Sequence, residues 1–403
     1  MFKIKYYIFL LIFLLLILQI MNEKNFDQIR SFRDNEVNDY LQKIIKEDLF
    51  VEILSYQFGK DQVDELLNRI SHMQTIKELQ FNLLKPLLEN LLKQSVSELT
   101  YSGLENIQKD DTYLFISNHR DILLDSFILN YILMTNGYDT IESAIGNNLF
   151  VMPWIEYLAR LNKSFIVHRD LEGKKFYYAS IDLSNYIKNT LLERKQSMWI
   201  AQQEGRSKDG NDKTQSSLIR MLLLSADKGQ EIELLNNYNI VTVSLSYEYD
   251  PCVAYKILAN YQNKSEVILK KTDKFRLNEM KEGLLEYKGK VHFHFSKPML
   301  FHSNNQNIRD FINDVCHAID TGIHKNYVIY PFHWYCYDKV NKSNENIDKY
   351  IGQETKFIEY IDSQRRKIEY TIGLQTSITN ILVDKIYKFY AKIVSNFLKT
   401  QNI

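Results

Sequence analysis

Tyr113-Leu114-Phe115-Ile116-Ser117-Asn118-His119-Arg120-Asp121-Ile122-Leu123-Leu124-Asp125 is the stretch that decides the fold. Tyr113–Ile116 is an apolar, strand-like run, and Ile122–Met134 is an apolar, helix-like one. A strand that ends in a polar turn and continues as a helix opens an α/β unit. His119 stands in that turn, and imidazole is the usual side chain for taking a proton from an alcohol. A carboxylate on its other ring nitrogen would fix the tautomer and steady the imidazolium. Asp121 and Asp125 compete for that role. Asp121 directly precedes the apolar helix and reads most simply as its N-cap, whereas Asp125 lies a turn further in and can point back.

Outward from this stretch, residues 101–300 alternate short apolar runs with helical periods. Strands are expected at Tyr113–Ser117, Ser164–Val167, Ser197–Ala201, Ile240–Ser246 and Val291–Phe295, with helices around 122–135, 176–193 and 214–227. The expected fold class is α/β, a mostly parallel sheet flanked by helices. Polar clusters follow three of these strands: Asn118-His119, His168-Arg169-Asp170 and Gln202 through Gly210. The carboxyl ends of strands in open α/β sheets border the ligand crevice, so the clusters are expected to converge. Residues 26–100 read as an N-terminal helical subdomain, with Val37, Tyr40, Leu41 and Ile44 on one face and Leu84, Leu87, Leu88, Leu91 and Leu92 on another. Residues 301–403 read as a C-terminal helical extension, helical at 306–325 and 353–400 and aromatic-rich at Tyr327–Tyr337.

Lys+Arg and Asp+Glu each number 50 in 403 residues, so the net charge is zero. That argues against the broad positive surface of a nucleic-acid binder. Cys252, Cys316 and Cys336 form no close pair, which disfavours a disulfide framework or zinc site and favours a reducing compartment. With 13 Gly and 5 Pro the chain reads as helix-rich and globular.

Residues 1–25 form a hydrophobic N-terminal segment. After Lys3 and Lys5 an unbroken run extends from Tyr6 to Leu18. As a helix it and its neighbours would reach about 24 Å, short of a ~30 Å hydrocarbon core. Three readings stand: a short or tilted anchor, a signal-like segment lacking a small-residue cleavage pattern, or upstream sequence with Met21 as the start. Lys24, Arg30 and Arg33 offset the topological bias of Lys3 and Lys5.

His168-Arg169-Asp170-Leu171 begins like a protein-kinase catalytic loop. Lys175 stands where the loop needs Asn, and no Asp-Phe-Gly follows, so that reading fails. Arg169 is better read as a phosphate ligand, since a guanidinium fork matches phosphate oxygens. Gln203-Glu204-Gly205-Arg206-Ser207-Lys208-Asp209-Gly210 supplies a flexible turn, two cations, a hydroxyl and backbone donors suited to an anion. Gly146-Asn147-Asn148 reads as a plain turn, and His292 and His294 as structural, without a third metal ligand at useful spacing.

These residues resemble the motifs of the glycerophospholipid acyltransferase superfamily, most of all its glycerol-3-phosphate and 1-acylglycerol-3-phosphate branches. Asn118-His119-Arg120-Asp121-Ile122-Leu123-Leu124-Asp125 resembles the family's first block. The second resembles Gly146-Asn147-Asn148-Leu149 continuing to Lys163 through Arg169, and the third Glu204-Gly205-Arg206-Ser207-Lys208-Asp209-Gly210. The fourth resembles Ile240 through Glu248. Two departures stand out. Five residues rather than four separate His119 from Asp125, and the third block is one residue short, so Glu204 is not tied to the usual glutamate position.

The resemblance implies an enzyme with a glycerolphosphate acyltransferase-like fold. It would transfer an acyl group from acyl-CoA or acyl carrier protein to a glycerol phosphate hydroxyl. His119 would be the base, with Asp125 or Asp121 as partner. Arg169, Glu204, Gly205, Arg206, Ser207 and Lys208 would bind substrate. No metal or redox cofactor is expected, the thioester being a substrate. The expected location is a membrane surface, with the site facing the cytoplasm. Two alternatives are a catalytically silent, membrane-associated lipid or acyl-thioester binding protein and a thioester hydrolase at the same site.

Overall fold

The computed structural model describes residues 26–262, 273–302, 307–372 and 376–401. Its strands are β1 (Val96–Ser102), β2 (Leu114–Ser117), β3 (Glu142–Gly146), β4 (Ser164–Val167), β5 (Met198–Ala201), β6 (Ile240–Tyr247) and β7 (Gly289–Phe295). They form one seven-stranded sheet in the order β1-β7-β6-β2-β5-β3-β4. β6, β2, β5, β3 and β4 run parallel, β7 is antiparallel to β6, and β1 is parallel to β7. The fold is therefore α/β, a mostly parallel sheet flanked by helices.

The period-2 alternation of the strands sorts their side chains between two cores. Leu114, Ile116, Met198, Ile200 and Ile240 face one side, against helices Gly173–Lys188, Ser216–Leu223 and Ile308–His324. Phe115, Trp199, Val241, Val243 and Leu245 face the other, against helix Leu124–Thr135. Burial on both faces is what a central parallel strand requires, and β2 and β6 are buried at every residue.

β1 and β3 are the strands that the sequence pattern does not mark. β1 begins inside the stretch read as helical to about Thr100. It is an edge strand pairing with β7, and most of its side chains stay exposed, so no apolar run announces it. β3 is internal but reads Glu-Ser-Ala-Ile-Gly. Its Glu142 is buried because Ser31 Oγ (3.1 Å), Arg194 Nη2 (2.7 Å) and the Tyr186 hydroxyl all bond the carboxylate. A buried, fully bonded charge disguises a core strand as a polar segment.

The C-terminal helices Pro331–Asn341, Glu354–Ile372 and Thr376–Gln401 contribute Phe332, Phe357, Leu382 and Tyr390 to the core that Ile116 and Ile240 enter. The helices Asp34–Ile44, Asp48–Phe58 and Val63–Ser71 gather Val37, Leu41, Leu54, Leu66 and Ile70 into a separate cluster, closed by Trp154 and Leu161. No helix among the described residues is long and apolar enough to cross a membrane. The apolar run Tyr6–Leu18 lies outside the described residues.

Candidate active site

β2 hands the chain to the site through Asn118. The Asn118 amide donates to Leu245 O and accepts from Leu245 N, both at 2.9 Å. A side chain thus continues the ladder to β6 while the backbone turns away. The His119 ring then meets Asp125, with Nδ1 2.8 Å from Oδ2. Asp125 Oδ2 also accepts from the backbone N–H of Arg120 (2.6 Å) and Asp121 (3.0 Å), and Oδ1 accepts from the Tyr247 hydroxyl at 2.8 Å. Burial opposes the carboxylate's charge, but the His119 contact and these donors outweigh it and hold Asp125 below the ordinary aspartate range. Burial and the adjacent Asp125 charge push the Tyr247 hydroxyl well above its ordinary value, so it stays a donor. An acceptor at Nδ1 puts the proton there and leaves Nε2 as the basic nitrogen. The His119 side chain is 14% exposed, with Trp199 edge-on at 5.6 Å between ring centroids.

Asp121 does something else. Its Oδ1 accepts from the backbone N–H of Leu123 (2.9 Å) and Leu124 (2.8 Å), capping helix Leu124–Thr135. Of the two competing carboxylates, Asp125 bonds the ring, while Asp121 holds the turn into the helix through Oδ1 and leaves Oδ2 buried without a hydrogen-bond partner. The extra residue of the first motif is absorbed in the turn before Leu124, where no helical register constrains it.

The end of β4 delivers Arg169 and the end of β3 receives it. Asn147 Oδ1 accepts from Arg169 N at 3.0 Å, and Asn147 Nδ2 donates to Asp170 at 2.6 Å. A Cβ on Gly146 would lie 2.7 Å from Arg169 Nε, and one on Gly205 4.0 Å from Nη1. Gly146-Asn147 is therefore more than a plain turn: it seats the guanidinium across the sheet edge. Glu204 Oε1, on a largely exposed side chain, stands 3.8 Å from Arg169 Nη1. Burial pulls Arg169 below its ordinary pKa, and Glu204 offsets this only in part. An under-neutralised cation results, turned toward the third motif.

That motif lies against His119 itself. Gln202 N donates to Ser117 O at 2.8 Å and Ser207 N to His119 O at 2.9 Å. Gly205 makes the turn with φ +70°, a left-handed conformation that glycine adopts without penalty. Two peptide units, at most about 7 Å of chain, link Gly205 beside Arg169 to Ser207 beside His119. Ser207 Oγ is buried without a hydrogen-bond partner. Arg206 Nη2 bonds Glu279 at 2.6 Å while its Nη1 is buried and unpartnered. Burial disfavours the Arg206 charge, but Glu279 and its neighbours more than restore it. Lys208 is exposed at the rim. The structure thus brings Gly205, Arg206 and Ser207 against His119, sets Arg169 with its ion-pair partner Glu204 beside Gly205, and leaves Lys208 at the exposed rim.

Several residues here carry no signal in the sequence. Behind His119, the buried Arg120 bridges Asp212 and Asp250 (3.5 Å to the latter), and Lys256 bonds Asp250 and donates to Arg120 O at 2.6 Å. Tyr327 adds its hydroxyl to Asp212 at 2.7 Å. These residues, Tyr247 and Glu279 are scattered in sequence, and no local pattern marks them as neighbours. His292 bonds Thr100 (2.7 Å) and Ser102 (2.9 Å), and His294 bonds Ser102 (2.8 Å) across β1 and β7. Among the described residues no group of three or more His, Cys, Asp or Glu could hold a metal ion, and the three cysteines are free and buried.

Residues 98–246, which span β1 to β6, match the family model described as Acyltransferase. The dihydroxyacetone phosphate acyltransferase of Homo sapiens is 22% identical over 275 residues, and that of Bos taurus 23% over 275 residues. Each alignment covers 66% of this chain and 38% of the relative, so the chain spans about 38% of the length of the curated relatives it matches. The solved 1-acyl-sn-glycerophosphate (LPA) acyltransferase of Thermotoga maritima aligns at 16% identity and TM-score 0.33, over 70% of this chain and 93% of that one. These matches support an acyltransferase domain of the glycerophospholipid acyltransferase type over residues 98–246.

Proposed function

We propose that this domain transfers an acyl group from a thioester, acyl-CoA or acyl carrier protein, to a hydroxyl of a small phosphorylated alcohol. Glycerol-3-phosphate and 1-acylglycerol-3-phosphate are the acceptors the motifs favour, and the names of the curated relatives add dihydroxyacetone phosphate. The observation that carries this reading is the partly exposed His119 ring on the buried, ionised Asp125, one loop away from the under-neutralised Arg169.

Nε2 of His119 takes the acceptor's hydroxyl proton as its oxygen bonds the thioester carbonyl carbon. The tetrahedral intermediate collapses with cleavage of the carbon–sulfur bond, and the imidazolium returns the proton to the departing thiolate. Asp125 fixes the ring and stabilises its transient charge. Arg169, with the Ser207 hydroxyl and the free Arg206 Nη1, holds the phosphate so that the alcohol stays near the base. The chemistry needs no cofactor beyond the thioester substrate. Acyl chains of this class reside in membranes, and the reading puts the site at a membrane surface facing the cytoplasm.

Turnover of the purified chain with each acceptor, paired with each donor, tests the proposal. General-base catalysis contributes roughly 10²–10⁴-fold, so His119→Ala should lower kcat by at least that range with an unchanged circular dichroism spectrum. Undiminished turnover in that variant would remove the mechanism. Thiol release without any acceptor would identify a hydrolase instead, and ligand binding without turnover in the parent protein a silent binding protein.

A further inference from the structure

Two consecutive peptide units carry Asp125, and both are bonded at each end. Their N–H groups, Arg120 N and Asp121 N, donate to Asp125 Oδ2 at 2.6 and 3.0 Å, and Asp125 meets His119 Nδ1 at 2.8 Å. In a trans peptide the carbonyl points opposite to the N–H, so the two carbonyls face away from Asp125. His119 O accepts from Ser207 N at 2.9 Å, a neutral donor. Arg120 O accepts from the Lys256 ammonium at 2.6 Å. A chain of contacts therefore runs from Lys256 through the Arg120–Asp121 peptide to Asp125 and the ring. A charged donor on a carbonyl makes the N–H of the same peptide a stronger donor, because hydrogen bonds in series polarise one another.

Lys256 stands on helix Val253–Gln262 and is 1% exposed. Its ammonium bonds Asp250 and Arg120 O, with the Phe389 ring 5.9 Å away. Arg120 and Asp212 complete the group, so two cations balance two carboxylates. Stability alone does not call for such a pair, since apolar side chains of similar volume often replace a buried ion pair without loss. The bond to Arg120 O supplies what charge balance does not, a fixed direction for the peptide under Asp125. Arg120 is 2% exposed, so without the ammonium its carbonyl would be buried and unpartnered. The peptide would then gain by rotating toward another donor, taking the Asp121 N–H with it.

We propose that Lys256 is a positioning residue for the acyl-transfer site: through the Arg120–Asp121 peptide it holds Asp125, and with it the His119 ring, in the orientation the base needs. This role deepens the acyl-transfer reading and rests on it.

Two variants of the full chain separate this role from charge balance. Lys256→Met leaves Asp250 without its cation, whereas Lys256→Met combined with Asp250→Asn restores neutrality. The double variant should recover most of the parent's unfolding midpoint. Both variants should lose kcat on the order of 10-fold, the scale of one charge-assisted hydrogen bond, with the acceptor KM little changed because Arg169 and Arg206 are untouched. Recovery of kcat together with stability in the double variant would overturn the proposal and leave Lys256 with charge balance only. A loss that falls on KM instead of kcat would overturn it equally. The Nδ1–H proton resonance of His119, assigned by its absence in His119→Gln, gives a readout that needs no turnover. It should move in the double variant, and an unmoved resonance would overturn the proposal. A parent without turnover but with a resonance that moves would fail the acyl-transfer reading and support the Lys256 linkage.

Discussion

Asp121 and Asp125 are the same residue type on the same turn, and hydrogen-bond partners alone give them different work. Asp125 collects two backbone N–H groups, a tyrosine hydroxyl and the ring, so its charge survives burial. Asp125→Asn removes that charge and the acceptor that sets the ring tautomer. kcat should fall on the order of 10²–10⁴-fold with little change in KM, measured by steady-state kinetics. Asp121→Asn keeps an equally good helix cap and should leave kcat within a few-fold, whereas Asp121→Ala should cost about 1 kcal/mol in denaturant unfolding. If the two Asn variants showed the reverse order, Asp121 would be the ring's partner.

Between elements, two glycines mark where strand ends and loops meet. At Gly146 a Cβ would press on the flexible ends of Arg169 (2.7 Å) and Asn148 (2.5 Å). Gly146→Ala should therefore fold normally but displace the guanidinium. A lost charge-assisted contact of about 1.5–3 kcal/mol corresponds to a KM for the acceptor raised roughly 10–100-fold, with kcat less affected. At Gly210 the Cβ would sit 2.2 Å from the backbone Phe389 O, and φ is +73°. Backbone cannot yield as a side chain does. Gly210→Ala should lose stability by more than the about 1–2 kcal/mol of left-handed strain alone, read from the unfolding midpoint. The loop after β5 and the last helix are thus held at a fixed distance behind the site.

Across the whole molecule, the C-terminal helices reach the site through buried polar groups. His333 on Pro331–Asn341 is 1% exposed and bonds Tyr247 O (3.0 Å) and Glu248 O (3.2 Å) at the end of β6. Burial and the nearby Arg120 charge lower its pKa from 6.5 to about 4. Between those values the unfolded chain binds the proton that the folded chain refuses, so stability should rise with pH from about 4 to about 6.5. The contribution approaches on the order of 3 kcal/mol, at about 1.4 kcal/mol per unit of separation. Denaturant unfolding of the parent and His333→Gln across that range checks this: the variant should lose most of one proton's slope. An unchanged slope would mean that His333 is charged in the folded protein.

The sequence by itself determined the strands with continuous apolar runs, the parallel α/β class and the order of the motif clusters, because periodicity and turn residues are local properties. It also singled out His119 and Arg169 as candidates, since each stands in the polar turn that closes such a run. Tertiary structure alone decided which aspartate holds the ring, that Gly146 cradles Arg169, that Arg206 is paired with Glu279, and that Arg120, Asp212, Asp250 and Lys256 balance one another beneath the site. It also revealed β1 and β3, whose residues look polar until their partners are in place. These outcomes rest on contacts between residues distant in sequence, where burial fixes which charges must be matched and no local pattern records the match.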